Sequence, residues 1–178
     1  MITRARVALI GGIVLGCAAC SSSNSVSTAT PVAPAVSPIS TVTFDTTTIA
    51  WTRDGVTASM RVEVASTADQ SQRGLGYRDS LPEDAGMLFD LHETRVPGFW
   101  MKGMRFPLDM VWIGEDGRVA AVTENVPPQP GVADEGLGFT SPPVPVRYAL
   151  ELNAGAARRL GIVAGTQLAF DLPARRAQ

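Results

Sequence analysis

Cysteine is absent from everything after residue 20, histidine occurs once as His92, and lysine occurs once as Lys102 against fourteen arginines. No apolar run is long enough to span a bilayer as a helix. Each scarcity removes a class of function. With no Cys and a single His, the region beyond Cys20 cannot build a zinc site of ordinary His/Cys composition, a disulfide framework or thiolate chemistry. A Ser-His-Asp arrangement would need His92 as base, and no G-x-S-x-G segment exists for it to serve. The plainer reading of His92 is a solvent-facing residue at a strand end. Phosphate cradles are missing as well, because the glycines of Arg73–Arg78 close a helix where a phosphate loop would open one. No metal and no cofactor is therefore expected. A formal net charge of −2 gives no reason to expect nucleic acid as a partner.

What is present begins with a leader. The short basic stretch MITRAR precedes VALIGGIVLG, an apolar run of signal-peptide length, so residues 1–16 read as a signal peptide. Val14-Leu15-Gly16-Cys17 looks like a lipobox, which makes Cys17 the expected lipid acceptor. Cys20 is the alternative, disfavoured because Cys17 would then occupy its apolar subsite. Processing as a plain secretory signal is the competing reading. The C-x-x-C spacing of the pair elsewhere marks redox sites, but no βαβ pattern surrounds it. Residues 17–40 are Ser, Thr, Ala, Pro and Val without charge or periodicity, and cannot bury enough surface to offset their ordering entropy. They read as a lipid-anchored tether, which places the chain on the extracytoplasmic side of a cell membrane or envelope, with the membrane as partner through the lipid.

Residues 41–174 are long enough for one core. Strand-length runs bounded by Gly, Pro, Asp or Asn occur at Val42–Phe44, Ala58–Ala65, Met87–Leu91, Phe99–Met101, Leu108–Ile113, Val119–Val126, Arg147–Leu152 and Gln167–Leu172. Glu115-Asp116-Gly117 signals a hairpin between two of them. Thr67-Ala68-Asp69-Gln70 reads as a capping box opening a helix to about Leu75, and Ala154–Leu160 as a helix closed by Gly161. Gly131–Pro145 is the longest loop. The fold class expected is α+β, mostly β: a small compact barrel-like sheet with two short helices.

Several motifs in order now carry a resemblance. R-G-L-G-Y-R at Arg73–Arg78, L-P-E-D-A-G-M-L-F at Leu81–Phe89, F-W-M-K-G-M-R-F-P-L-D-M-V-W-I at Phe99–Ile113, D-G-R-V at Asp116–Val119 and Y-A-L-E-L-N-A-G-A-A-R-R-L-G-I at Tyr148–Ile162 resemble the domain of unknown function 192 family. The match runs from about Met60 to Leu172. The resemblance implies a small, often exported domain and supplies no biochemical activity. Gly76 stands where the family commonly has Met, Gly103-Met104 stand where it usually has Asn-Thr, and its Cys near Pro127-Pro128 is missing. A hydrogen-bonding site built on the polar pair would be weakened here, and a thiol role for that Cys does not apply.

Chemistry has few carriers left. Lys102, flanked by Trp100 and Met101, suggests that an ammonium was wanted, since burial can lower its pKa while a guanidinium stays charged. Strand alternation would put Trp100, Lys102 and Met104 on one face, an amphipathic ligand-contact surface; the plainer reading is a core Trp with a snorkelling Lys. Asp109 lies inside an apolar run and needs a partner, for which Lys102, Arg73 and Arg78 are the candidates. Glu151 sits in a similar apolar frame, so the two carboxylates could pair, although their separation is not legible. The candidate ligand-binding residues are thus Trp100, Lys102, Asp109, Arg73, Arg78 and Glu151. The function expected is an exported, lipid-anchored envelope domain that binds a small ligand, a glycan or a partner protein. The alternative is an envelope hydrolase or lyase using Asp109, Glu151 and Lys102.

Overall fold

A computed structural model describes residues 42–174 of the chain. The signal segment, both cysteines and the whole of the tether lie outside the described residues. The strands are β1 (Asp45–Arg53), β2 (Val56–Ala65), β3 (Ala85–Arg95), β4 (Phe99–Trp100), β5 (Leu108–Ile113), β6 (Val119–Val126), β7 (Phe139–Thr140), β8 (Val146–Asn153) and β9 (Leu168–Ala169), with helices α1 (Ala68–Arg73) and α2 (Ala156–Leu160). Seven strands form one sheet in the order β6-β5-β8-β3-β2-β1-β9, and β4 pairs with β7 separately. The domain is mostly β, a curled half-barrel with two short helices, as its alternating runs imply.

The pairings are antiparallel except β2 with β3, which run parallel and are joined through α1. That crossover is held at its start by Thr67, whose hydroxyl accepts from the Gln70 amide at 3.2 Å while the Gln70 side chain accepts from the Thr67 amide at 3.1 Å. The curl brings both sheet edges to one segment. Leu168 pairs with Trp51 of β1, while Gln167 bridges Arg118 and the Leu168 amide donates to the Gly117 carbonyl at 3.0 Å, just before β6.

Each face of this sheet carries its own core. On the inner face, Ile49, Trp51, Leu88, Val111, Ile113 and Leu150 pack with Ala156 and Ala157 of α2. On the outer face, Met87, Phe89, Met110, Trp112 and Ala149 pack under Leu75, Met101 and Met104 from the segments that follow α1 and β4. Burying one such side chain stabilises by about 1.5–3 kcal/mol, so covering both faces explains how a small domain without disulfides holds together. It also explains why Leu108–Ile113 is buried at every position.

Some expected boundaries move. Val42–Phe44 is not a strand; the strand is its continuation, Asp45–Arg53, which turns through Asp54 and Gly55 at φ of 50° and 77° into β2. Gln167–Leu172 contracts to two paired residues. The long loop at Gly131–Pro145 contains a 3-10 turn at Asp134–Gly136 and the short strand β7. His92 is not a strand-end residue but lies within β3 at φ 63°, its ring nitrogens 3.2 Å from Asp90 Oδ2 and 2.8 Å from the Ser66 carbonyl.

Candidate functional site

β8 lies between β5 and β3, and its residue Glu151 stands opposite Met110 on one side and Met87 on the other. Alternation along β8 sends Leu150 and Leu152 inward and Glu151 to the outer face with Ala149. The residue is only 5% exposed, and no side chain or amide among the described residues hydrogen-bonds its carboxyl. A buried carboxyl without a partner is costly in its charged form, so it shifts toward neutrality. Burial pushes Glu151 up to about 8, and the positive charge of Arg78 opposes this only in part.

Glu151 is recessed but not sealed. It lines a pocket of about 120 Å³ whose walls include Leu75, Phe89, Phe99 and Met104 and whose mouth carries Arg73, Arg95 and Lys102. Two chain segments frame it. At Gly76 an added Cβ would lie 2.9 Å from the Lys102 carbonyl, so the backbone after α1 can approach the backbone after β4 only as glycine. The Tyr77 amide donates to the Gly103 carbonyl at 2.8 Å, and Gly103 adopts φ 68° with the Tyr77 ring against it. Of the three departures from the family pattern noted in the sequence, two bear on this pocket: Gly76 and Met104 lie on its wall.

Trp100 and Lys102 meet, for a reason other than the expected alternation. The strand ends at Trp100 and Lys102 lies in the turn beyond it, yet the ammonium lies 5.4 Å from the centre of the Trp100 ring. On its other side Lys102 is paired with Asp134 of the 3-10 turn. That hydrogen bond holds the ammonium above its ordinary pKa, opposite to the lowering that a buried lysine base would need. Trp100 stacks on Phe139 at 6.0 Å with the planes 17° apart, and Phe139 is 65% exposed.

Asp109 corrects the expectation twice. It is fully buried, but its partners are none of Lys102, Arg73 or Arg78: Oδ1 accepts from the Asn125 amide at 2.9 Å and Oδ2 from the Ala157 amide at 3.0 Å. It therefore caps the first turn of α2, whose own N-cap, Gly155, has no side chain to do so. It also faces inward with Val111 and Ile113, on the opposite side of the sheet from Glu151. The two carboxylates form no pair. Arg78 is engaged with Glu63 at 2.5 Å and lies over Phe44 at 5.5 Å, so it reaches Glu151 through its field. Arg73 has no carboxylate partner among the described residues and lies over the Tyr77 ring at 5.0 Å.

Sequence reasoning missed Phe89 and Arg95 on the pocket lining, Phe139 stacked on Trp100 beside it, and also Asp90. Asp90 is buried and paired with Arg147; burial alone would raise its carboxyl, but the Arg147 guanidinium and the His92 amide hold it below the usual range. Phe139 carried one available signal, an aromatic residue isolated in a Gly/Pro-rich loop.

Fold and pocket together define a small curled-sheet domain with one recessed, unpartnered acid. The chain belongs to the DUF192 family, described as Uncharacterized ACR, whose model matches residues 49–170. It is similar to a crystal structure from Sinorhizobium meliloti 1021 that carries the provisional description of a transcription regulator, with 37% identity, a TM-score of 0.65, and coverage of 72% of this chain and 96% of that one. It is also similar to a protein of unknown function from Novosphingobium aromaticivorans DSM 12444, with 30% identity, a TM-score of 0.61, and coverage of 78% and 94%. No curated protein matches the chain at a significant level.

Proposed function

We propose that this is an exported, lipid-anchored envelope domain that binds a small molecule in the pocket above Glu151. The observation that carries the reading is Glu151 itself, a nearly buried carboxyl with no hydrogen-bond partner that opens into a pocket. Its oxygens are not sealed from solvent, so it is an accessible acid held in a recess whose burial penalises its charged form. Binding is favoured over the hydrolase or lyase alternative because the three groups that catalysis would need are not all brought together: Glu151 and Lys102 line one pocket, but Asp109 does not. Asp109 is saturated by amides on the other face, and Lys102 is held as a charged ammonium.

The test is retention. The purified protein is equilibrated with a small-molecule extract of envelope material, washed and analysed by mass spectrometry, alongside Ser71→Trp, which places a bulky ring from the exposed side of α1 at the pocket wall. Wild type should retain a compound that Ser71→Trp does not. Equal retention by both proteins removes the pocket from the function. Anchoring is tested separately: replacing both Cys17 and Cys20 by Ala should release the protein from the membrane fraction, since acylation is the membrane device this reading invokes.

A further inference from the structure

The chemistry of the pocket is one-sided, which narrows what it can take. Of its charged lining groups, Arg73, Arg95 and Lys102 are cations at the mouth, and the one acid, Glu151, lies inside. Arg73 is the mouth cation with no carboxylate partner, whereas Lys102 is matched by Asp134 and Arg95 lies 3.5 Å from Glu93. An anion arriving there gains an unmatched guanidinium, the group best suited to hold a carboxylate with two parallel hydrogen bonds. A cation meets repulsion.

Its walls include the apolar side chains of Leu75, Phe89, Leu91, Phe99 and Met104, and the space is small. A cavity of about 150 Å³ lined by apolar side chains accommodates benzene, so roughly one six-membered ring fills the volume seen here. At neutral pH the Glu151 carboxyl is held mainly protonated, and a protonated carboxyl has an O–H to donate. Its complement is an acceptor atom.

We propose that the pocket takes a small organic carboxylate, its charge at the mouth on Arg73, its apolar body against Leu75 and Phe89, and an acceptor atom at its inner end meeting Glu151. This rests on the pocket being a binding site and adds the class of ligand. Binding should weaken as pH rises past the point where Glu151 ionises, because the donor is lost and a negative charge appears beside the acceptor. The charged groups around Glu151 do not reverse that direction. They are the guanidiniums of Arg78 and Arg73 from the segment around α1 and of Arg95 from β3, and Lys102, which is held high by Asp134; β5 contributes Met110 opposite.

Isonicotinate is the probe, since it carries a carboxylate and, across the ring, an acceptor nitrogen that stays unprotonated between pH 7 and 9. Isonicotinamide removes the charge and benzoate removes the acceptor. Binding to the full-length protein is measured by calorimetry or ligand-observed magnetic resonance. Isonicotinate should bind about tenfold or more tightly than either relative at pH 7, and tighter at pH 7 than at pH 9. Arg73→Gln should cost isonicotinate most of its advantage over isonicotinamide. Glu151→Gln keeps an N–H donor and should bind isonicotinate equally at both pH values. If isonicotinamide binds as well as isonicotinate, or binding strengthens toward pH 9, while Ser71→Trp still blocks the probes, the anion proposal fails and the pocket survives. If no probe binds, or Ser71→Trp changes nothing, both fail together.

Discussion

Two acids, Asp109 and Glu151, sit one step out of register on neighbouring strands, each in an apolar frame, and their surroundings differ in every respect that matters. Asp109 faces the inner core, where two backbone amides fill both of its oxygens and tie β5 to α2 and to the end of β6. Glu151 faces outward, where nothing hydrogen-bonds it and a pocket opens above it. Burial alone does not tell a clamp from a site. What separates them is whether the protein itself satisfies the group.

The sharpest way to break the comparison is Asp109→Ala. It strands the buried Ala157 amide and removes the part-buried bond from the Asn125 amide, charge-assisted bonds worth about 1.5–3 kcal/mol each, so a loss of roughly 3–5 kcal/mol is expected in urea unfolding. The Ala157 amide should also lose its protection from hydrogen exchange. A loss below about 1 kcal/mol would mean that water replaces the carboxylate without difficulty and that the two acids are not different in kind.

Glu151→Gln should do the reverse. A Glu whose folded pKa lies above its unfolded value binds a proton in the native state that the unfolded chain has already lost, so stability falls as pH rises from about 4.5 to about 8. The amide removes that penalty. The variant should match wild type near pH 5 and exceed it near pH 9, by an amount of order 3–4 kcal/mol. Thermal melting across that range checks both size and sign; a variant that is less stable at pH 9 would show that the carboxylate has a partner after all.

How much of this was legible follows from what each signal encodes. Leu108–Ile113 and Val119–Val126 were readable because their residues alternate or run apolar between clear turn signals, and the structure places β5 and β6 at those bounds. β1 was passed over although Asp54-Gly55 marked its turn, because three consecutive threonines obscure the alternation of Ile49 and Trp51. Glu151 and Asp109 both stood out as charges in apolar frames. Their placement on opposite faces did not, since it depends on the pairing of Met110 with Glu151, which joins strands far apart in the chain. Nor could the partners of Asp109 be named, because backbone amides leave no mark on side-chain identity. Trp100 and Lys102 were rightly brought together, by a turn and a cation–ring contact where alternation had been expected.

A smaller effect probes the inner face alone. The Trp51 indole donates to the Leu160 carbonyl at 3.0 Å at the end of α2. Trp51→Phe keeps most of the apolar body and loses that bond, and should cost about 1–2 kcal/mol by denaturant titration. The effect should not depend on pH, in contrast to Glu151→Gln.

Least of all should happen to stability when Lys102 is changed. Its pair with Asp134 lies at the exposed rim, where solvent screens the charges, so Lys102→Arg and Lys102→Ala should melt with wild type. Their difference belongs to binding: Arg keeps a cation at the mouth and Ala does not. A clear drop in melting temperature for both would move Lys102 from the rim into the framework.

The segment from Gly165 to Ala169 has a consequence for how the protein is made. It contacts β1 at one sheet edge and the start of β6 at the other, and it lies near the C-terminal end of the described chain. During synthesis every other strand among the described residues emerges first, and until Leu168 arrives both edges are open to pairing with other chains. The domain therefore completes itself late, through contacts between opposite ends of its sequence, which is the slow and exposed way for a sheet to fold.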